Sequence, residues 1–146
     1  MLVRNSKSVE HTVLHLLTRL SDYICNWFGG EAVSLQIDYD EAESFRAAGY
    51  TPFVVDGEEY GETREFGKFS FTRIYEAGHE VPYYQPKASL EIFRRVLGNL
   101  IIADGSQAIS DDYSTTGSPN ATHTESFVPW PPTGSSVSDK RRDIGV

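Results

Sequence analysis

The chain has 146 residues, 39% of them apolar, and a formal net charge of −8. That length suits one modest domain, and a surface of that sign argues against binding a phosphate backbone. With Cys25 as its single cysteine the chain has no internal disulfide and no multi-cysteine zinc site, and no run approaches the roughly 18 apolar residues of a membrane span.

In residues 1–21, Val9, Val13, Leu16, Leu17 and Leu20 recur at helical spacing, and Ser8 stands where a helix cap belongs. The pattern predicts an amphipathic helix in search of a partner surface. His11, Thr12, His15, Thr18 and Arg19 interrupt the apolar run, so a signal peptide is not expected from this stretch.

Residues 22–104 hold 15 acids and 7 bases, the whole of the charge excess. Trp27 and Phe28 read as core. "EAVSLQI" and "DEAESFRAAG" read as short helices. The second puts Ala42, Phe45 and Ala48 on one face and offers Gly49 as a C-terminal stop. "TPFVVDGEEYGETREFGKFSFTRIYEA" reads as extended segments, with turns at Asp56-Gly57 and Gly67-Lys68. Phe69, Phe71, Arg73 and Tyr75 alternate with Ser70, Thr72, Ile74 and Glu76, which describes a strand with two different faces. After "GHEVPYYQ", Pro86 fits the first position of a helix, where its missing N–H costs nothing. Leu90, Phe93, Val96 and Leu97 supply that helix's apolar stripe, and Gly98 ends it.

Residues 105–146 are different in composition. Thirteen of these 42 residues are Ser or Thr, so little apolar surface offsets the entropy of ordering, and a mobile tail is expected. Around "SFVPWPP" a short extended piece fits a surface. Asn120-Ala121-Thr122 is an N-glycosylation sequon, meaningful only in a chain that enters the secretory pathway.

His79 is the one histidine outside the terminal segments. It falls in the loop between an expected strand and an expected helix, the kind of rim where ligands and catalytic groups gather in open α/β sheets. An imidazole there, with a pKa near neutrality, takes a proton from a nucleophile and passes it to a leaving group. A solvated or hydrogen-bonded structural histidine is the plainer alternative. A catalytic histidine also needs a carboxylate to orient it. Asp22, 57 residues earlier and beside the aromatic-rich "YICNWF", is the candidate. The order Asp then His agrees with α/β-hydrolases, in which Ser comes first. Only Ser6, Ser8 and Ser21 precede Asp22. None is flanked by glycines, and no G-x-S-x-G occurs in the chain.

"DYICNWFGGEA" and "RIYEAGHEVPYYQPKASLEIFRRVL", in that order, resemble the C-terminal part of the serine carboxypeptidases, particularly fungal secreted or vacuolar members. The resemblance covers about residues 22–104, and "NATHTESFVP" in the tail is also similar to fungal members. It implies an α/β class fold: the C-terminal part of an α/β-hydrolase, an incomplete sheet with flanking helices, followed by a disordered tail over 105–146. It implies hydrolysis of C-terminal peptide bonds, with peptide or protein C-termini as substrates, no cofactor, no metal, and an extracellular or vacuolar setting. Asp22 and His79 match the family's catalytic aspartate and histidine. Cys25 matches a cysteine lining the pocket for the leaving residue, and Glu80 stands where that pocket is bordered. Cys25 as a buried thiol and Glu80 as a solvated acid are the plainer readings of the same residues. A metal site on His79 and Glu80 is disfavoured, because neighbouring positions rarely both reach one ion. The family's nucleophilic serine elbow is not in the sequence. A truncated chain, inactive by itself, is therefore expected, with a non-catalytic peptide-binding remnant as the alternative. Its sheet should present bare edges and an apolar face.

Overall fold

The computed structural model describes residues 27–123. The expected helix in residues 1–21, together with Asp22, Cys25 and "SFVPWPP", lies outside the described residues. Seven elements follow in order: α1 (Trp27–Gln36), α2 (Ala42–Ala47), β1 (Thr51–Val55), β2 (Glu58–Phe66), β3 (Phe69–Ile74), α3 (Val81–Tyr84) and α4 (Pro86–Leu97). The three strands make one antiparallel sheet in the order β1-β2-β3. Two helices precede the three consecutive strands and two follow them, a sheet with flanking helices in keeping with the α/β class. All the described strand pairs are antiparallel, so the strand-end rim of a parallel sheet is not formed by these strands alone.

Both hairpins turn where glycine permits it. Asp56 and Gly57 take φ values of 52° and 82°, as the two central residues of a type I′ turn must. Gly67 takes 51° at the second turn. The register then sorts the side chains. Glu62, Arg64 and Phe66 stand opposite Arg73, Phe71 and Phe69, and Gly61, Thr63 and Glu65 stand opposite Ile74, Thr72 and Ser70. On the first face Phe69 and Phe71 pack with Phe45 of α2 and with Tyr50, bordered by Leu35, Ile37 and Tyr39. On the second face Ile74 joins Phe53, Val55, Ala88, Ile92 and Ile102. Every residue of β3 is buried, so its alternation separates two interiors, one aromatic and one mixed. Two of the buried hydroxyls on the second face find each other: Thr63 Oγ1 and Thr72 Oγ1 are 2.8 Å apart.

Four expectations need correction. Phe28 is 54% exposed and stacks on buried Trp27 at 3.8 Å between ring centroids; only Trp27 is core. Gly49 is not a left-handed helix stop. Ala48, with φ −63° and ψ 145°, already ends α2 in extended conformation. A Cβ at Gly49 would lie 2.6 Å from the Gly117 backbone nitrogen, so its smallness serves close packing.

The third correction concerns α4. Leu90, Phe93 and Leu97 are 61%, 60% and 69% exposed, while Ala88, Ile92 and Arg95 are buried. Val96 alone of the expected stripe packs against the core, half-buried. The helix carries two apolar rows, and a polar contact chooses between them. Arg95 donates through Nη1 to Ile102 O at 2.7 Å, through Nη2 to Val54 O at 2.7 Å, and through Nε to Glu91 Oε1 at 3.1 Å. Its guanidinium also lies 5.0 Å from the Phe53 ring centroid. Turning this arginine inward turns Leu90, Phe93 and Leu97 outward.

The fourth concerns the tail. Over residues 105–123 the chain is held against the sheet. Gly67 N–H donates to Tyr113 O (2.8 Å), Thr115 N–H to Glu65 O (2.9 Å), Gly49 N–H to Thr115 O (3.1 Å), and Tyr50 N–H to Ser118 O (2.7 Å). Thr115 Oγ1 also accepts from Glu65 N–H at 2.8 Å. Backbone pairing and one buried threonine supply what apolar burial does not, and composition is blind to such pairing.

Glu65 is the buried acid at this junction, 1% exposed. Its Oε2 accepts the Ile102 N–H at 2.9 Å. Burial pushes its pKa up to about 7, partly opposed by that hydrogen bond and by Arg95. Lys68 and Ser70 line the shallow cavity it faces. The folded value exceeds the ordinary 4.5, so the native chain keeps a proton that the unfolded chain has released. Stability from this group is full below pH 4.5 and declines as pH rises to about 7, by at most about 3 kcal/mol. Urea unfolding at about pH 5 and about pH 8 should show this decline, and Glu65→Gln should flatten it. Equal pH dependence in both proteins would count against the assignment.

Candidate active site

His79 sits where the chain leaves β3 for α3 and α4. Glu76 takes a positive φ of 51°, which turns the backbone away from the strand. Ala77 and Val81, two residues before and two after His79, are 0% and 1% exposed and belong to the core cluster that contains Ile74 and Ala88. His79 and Glu80 lie exposed between them. The imidazole is thus carried at the apex of a loop whose two shoulders are anchored in the core.

Hydrogen bonds close the base of this loop. Gln85 Nε2 donates to Tyr75 O at 3.1 Å, and Gln85 N–H donates to Val81 O at 2.7 Å. Tyr83 N–H donates to Glu80 O at 2.9 Å. Pro82 lies in the first turn of α3, and Pro86 begins α4, as its position in the sequence led one to expect. Glu80 precedes α3 with no side-chain cap bond.

Asp22 and Cys25 lie outside the described residues, so their positions relative to His79 are not part of this geometry. From Trp27 onward the chain is well tied down. Trp27 is buried, and the Arg73 guanidinium stands 4.2 Å from its ring centroid. Arg73, on β3 and 1% exposed, also donates through Nη1 to Glu62 Oε1 at 3.3 Å and to His123 O at 2.9 Å. Burial raises the Glu62 pKa, with Arg73 opposing it. The start of α1 is therefore docked on the strand that delivers His79. Sequence reading saw Arg73 only as one term of an alternation. The signal it held was a cation in an aromatic row, which is the composition of a cation–π contact.

Among the described residues, no group of three or more His, Cys, Asp or Glu side chains is arranged to hold a metal ion. The cavity lined by Glu65, Lys68, Ser70 and Val96 shares no residue with the loop 75–85.

Gly78 sets how closely the loop folds. A Cβ there would come 2.6 Å from Tyr84 Cε2 and 2.9 Å from Cζ. Gly78→Ala should cost about 1–3 kcal/mol through overpacking, read by chemical unfolding. Adding Tyr84→Ala should recover most of that loss, if the clash is with this ring. A double variant no better than the sum of the two single ones would refute the clash.

The family profile described as "Serine carboxypeptidase" matches residues 7–99, a span that includes Asp22, Cys25, His79 and Glu80. A carboxypeptidase S1 homolog A of Arthroderma otae is 53% identical over 113 residues, covering 76% of this chain and 17% of that protein. A carboxypeptidase Y homolog of Arthroderma benhamiae is 48% identical over 118 residues, covering 77% and 18%. A vacuolar serine-type carboxypeptidase of Saccharomyces cerevisiae is 42% identical over 86 residues, covering 57% and 17%. The chain spans less than a fifth of the length of these relatives. With most of its own length matched to that profile and to these proteins, this chain belongs to the serine carboxypeptidase family.

Proposed function

We propose that this chain is the part of a serine-type carboxypeptidase that supplies the general base and its carboxylate, and that it acts on the C-termini of peptides. The observation that carries this reading is the exposed His79, held between buried Ala77 and Val81 inside a segment matched to the family. In the proposed mechanism a serine hydroxyl from elsewhere in the family's domain attacks the scissile carbonyl. His79 takes the hydroxyl proton as the Ser–O–C bond forms. It then gives that proton to the departing amino acid as the C–N bond breaks, and water releases the acyl group by the same path in reverse. Asp22 orients the imidazole and stabilises its protonated form. Docking of Trp27 on Arg73 supports this role, because it fixes a residue five positions after Asp22 on the strand that leads to His79.

The exposed Leu90, Phe93 and Leu97 support the need for a larger body. They form a contiguous apolar row on α4 at positions i, i+3 and i+7. The remaining portion of an α/β-hydrolase domain is the surface that would cover them. The same reading puts the working enzyme outside the cytosol, in the vacuole or the exterior. One relative's name says vacuolar, which favours that setting.

Purified alone, the chain should not turn over a blocked dipeptide, since it contains no G-x-S-x-G elbow. Co-expression with the complementary portion of the Arthroderma otae relative should give a soluble complex that hydrolyses it. His79→Ala or Asp22→Asn in that complex should lower kcat by roughly 10⁴-fold. Burst release by the chain alone, or a fully active His79→Ala complex, would overturn the proposal. A stable complex that binds peptides without hydrolysing them would favour the non-catalytic reading.

Glu80, exposed beside His79, is proposed to border the pocket for the leaving residue, with Cys25 lining it. Its charge should favour a basic leaving residue. Glu80→Gln in the active complex should lower the kcat/KM ratio for peptides ending in Arg against Leu by about two- to five-fold, the range for a solvated ion pair. An unchanged ratio would remove Glu80 from the pocket.

A further inference from the structure

We propose that Asn120 is an acceptor for N-linked glycan. This goes beyond the proposed peptidase role and depends on none of its residues. The side chains of the sequon Asn120-Ala121-Thr122 alternate between solvent and the fold. Ala121 packs inward, against the cluster of Phe45, Tyr50, Phe69 and Phe71. Asn120 and Thr122, on either side of it, are exposed. The two groups that an N-glycosyl transfer requires, the carboxamide and the hydroxyl two residues on, therefore both face solvent.

The backbone here is pinned while the acceptor side chain is left alone. Tyr50 N–H donates to Ser118 O at 2.7 Å, and Arg64 Nη2 donates to Pro119 O at 2.6 Å. Ser118 Oγ donates to Asn120 O at 2.7 Å. The Thr122 N–H donates to the Glu62 carboxylate. Among the described residues, the Asn120 carboxamide enters no hydrogen bond, so a bulky solvated glycan there displaces no contact of the fold. In the transfer, the carboxamide nitrogen forms a bond to the anomeric carbon of a lipid-linked oligosaccharide. The pyrophosphate leaves, and one amide proton is lost to solvent.

The test is the full 146-residue chain carrying an added secretion signal, expressed in a glycosylating yeast. Amidase treatment should give a discrete drop in apparent mass and should convert Asn120 to Asp, read by peptide mass spectrometry. Asn120→Gln and Thr122→Ala should each abolish the shift, and Thr122→Ser should keep it. Because Thr122→Ala and Thr122→Ser differ by one hydroxyl, their contrast separates loss of the acceptor from a folding defect. Secreted chain with unmodified Asn120, or a shift that survives Thr122→Ala, would overturn the proposal. The peptidase proposal is tested on unglycosylated complex from a bacterial host, so the two can fail separately.

Discussion

One guanidinium decides how the second layer of this fold is laid down. Arg95 joins the carbonyls of Val54 on β1 and Ile102 beyond α4, and pairs with Glu91 one turn back along its own helix. A buried arginine is tolerable only when its donors are satisfied, and here the fork geometry of the side chain meets three acceptors at once. This fixes the rotation of α4 about its axis. Ala88 and Ile92 then fall onto Phe53, Val55 and Ile74, and Leu90, Phe93 and Leu97 face outward. The other end of the same helix begins at Pro86, directly after the loop that carries His79. The orientation of α4 and the base of the His79 loop are thus set together.

The two faces of the sheet are built from different chemistry. Toward α1 and α2 the strands present Phe69 and Phe71, with Arg64 4.5 Å from the Tyr50 ring centroid and Arg73 4.2 Å from that of Trp27. Cations over aromatic rings keep charge inside without a full shell of carboxylates. Toward α4 the strands present Thr63, Glu65, Ser70 and Thr72 beside Ile74. Glu65 is the member of this set whose charge is worst served, and its raised pKa follows from that. A fold with such a group loses stability as pH rises from the mildly acidic range toward neutral.

The centre of the His79 loop, at His79 and Glu80, is exposed, and exposed loop backbone is ordinarily mobile. Buried residues at two positions before and two after remove that freedom. Gly78 lets the loop lie against Tyr84, and Gln85 closes the span to Tyr75. The general base proposed for this loop would gain from being held in one place before substrate arrives. The loop has that property even within 97 described residues, 27 to 123.

The sequence by itself determined the strands, the hairpin turns and the start of α4. Each of these rests on a local rule: alternation, an Asp-Gly or Gly-Lys pair, a proline at a helix N-terminus. It also determined which residues to suspect, because "DYICNW" and "AGHEVP" are family signatures that need no coordinates to read. Only the tertiary structure decided which row of α4 faces inward. Two apolar rows share the period of the helix, and the choice is made by the carbonyls of Val54 and Ile102, distant in the chain. The same holds for Gly49, whose role is a close approach to Gly117, and for residues 105–123. Their order comes from backbone partners on the sheet at Glu65, Gly67 and Tyr50. Periodicity and composition describe what a segment carries, and long-range hydrogen bonds decide where it goes.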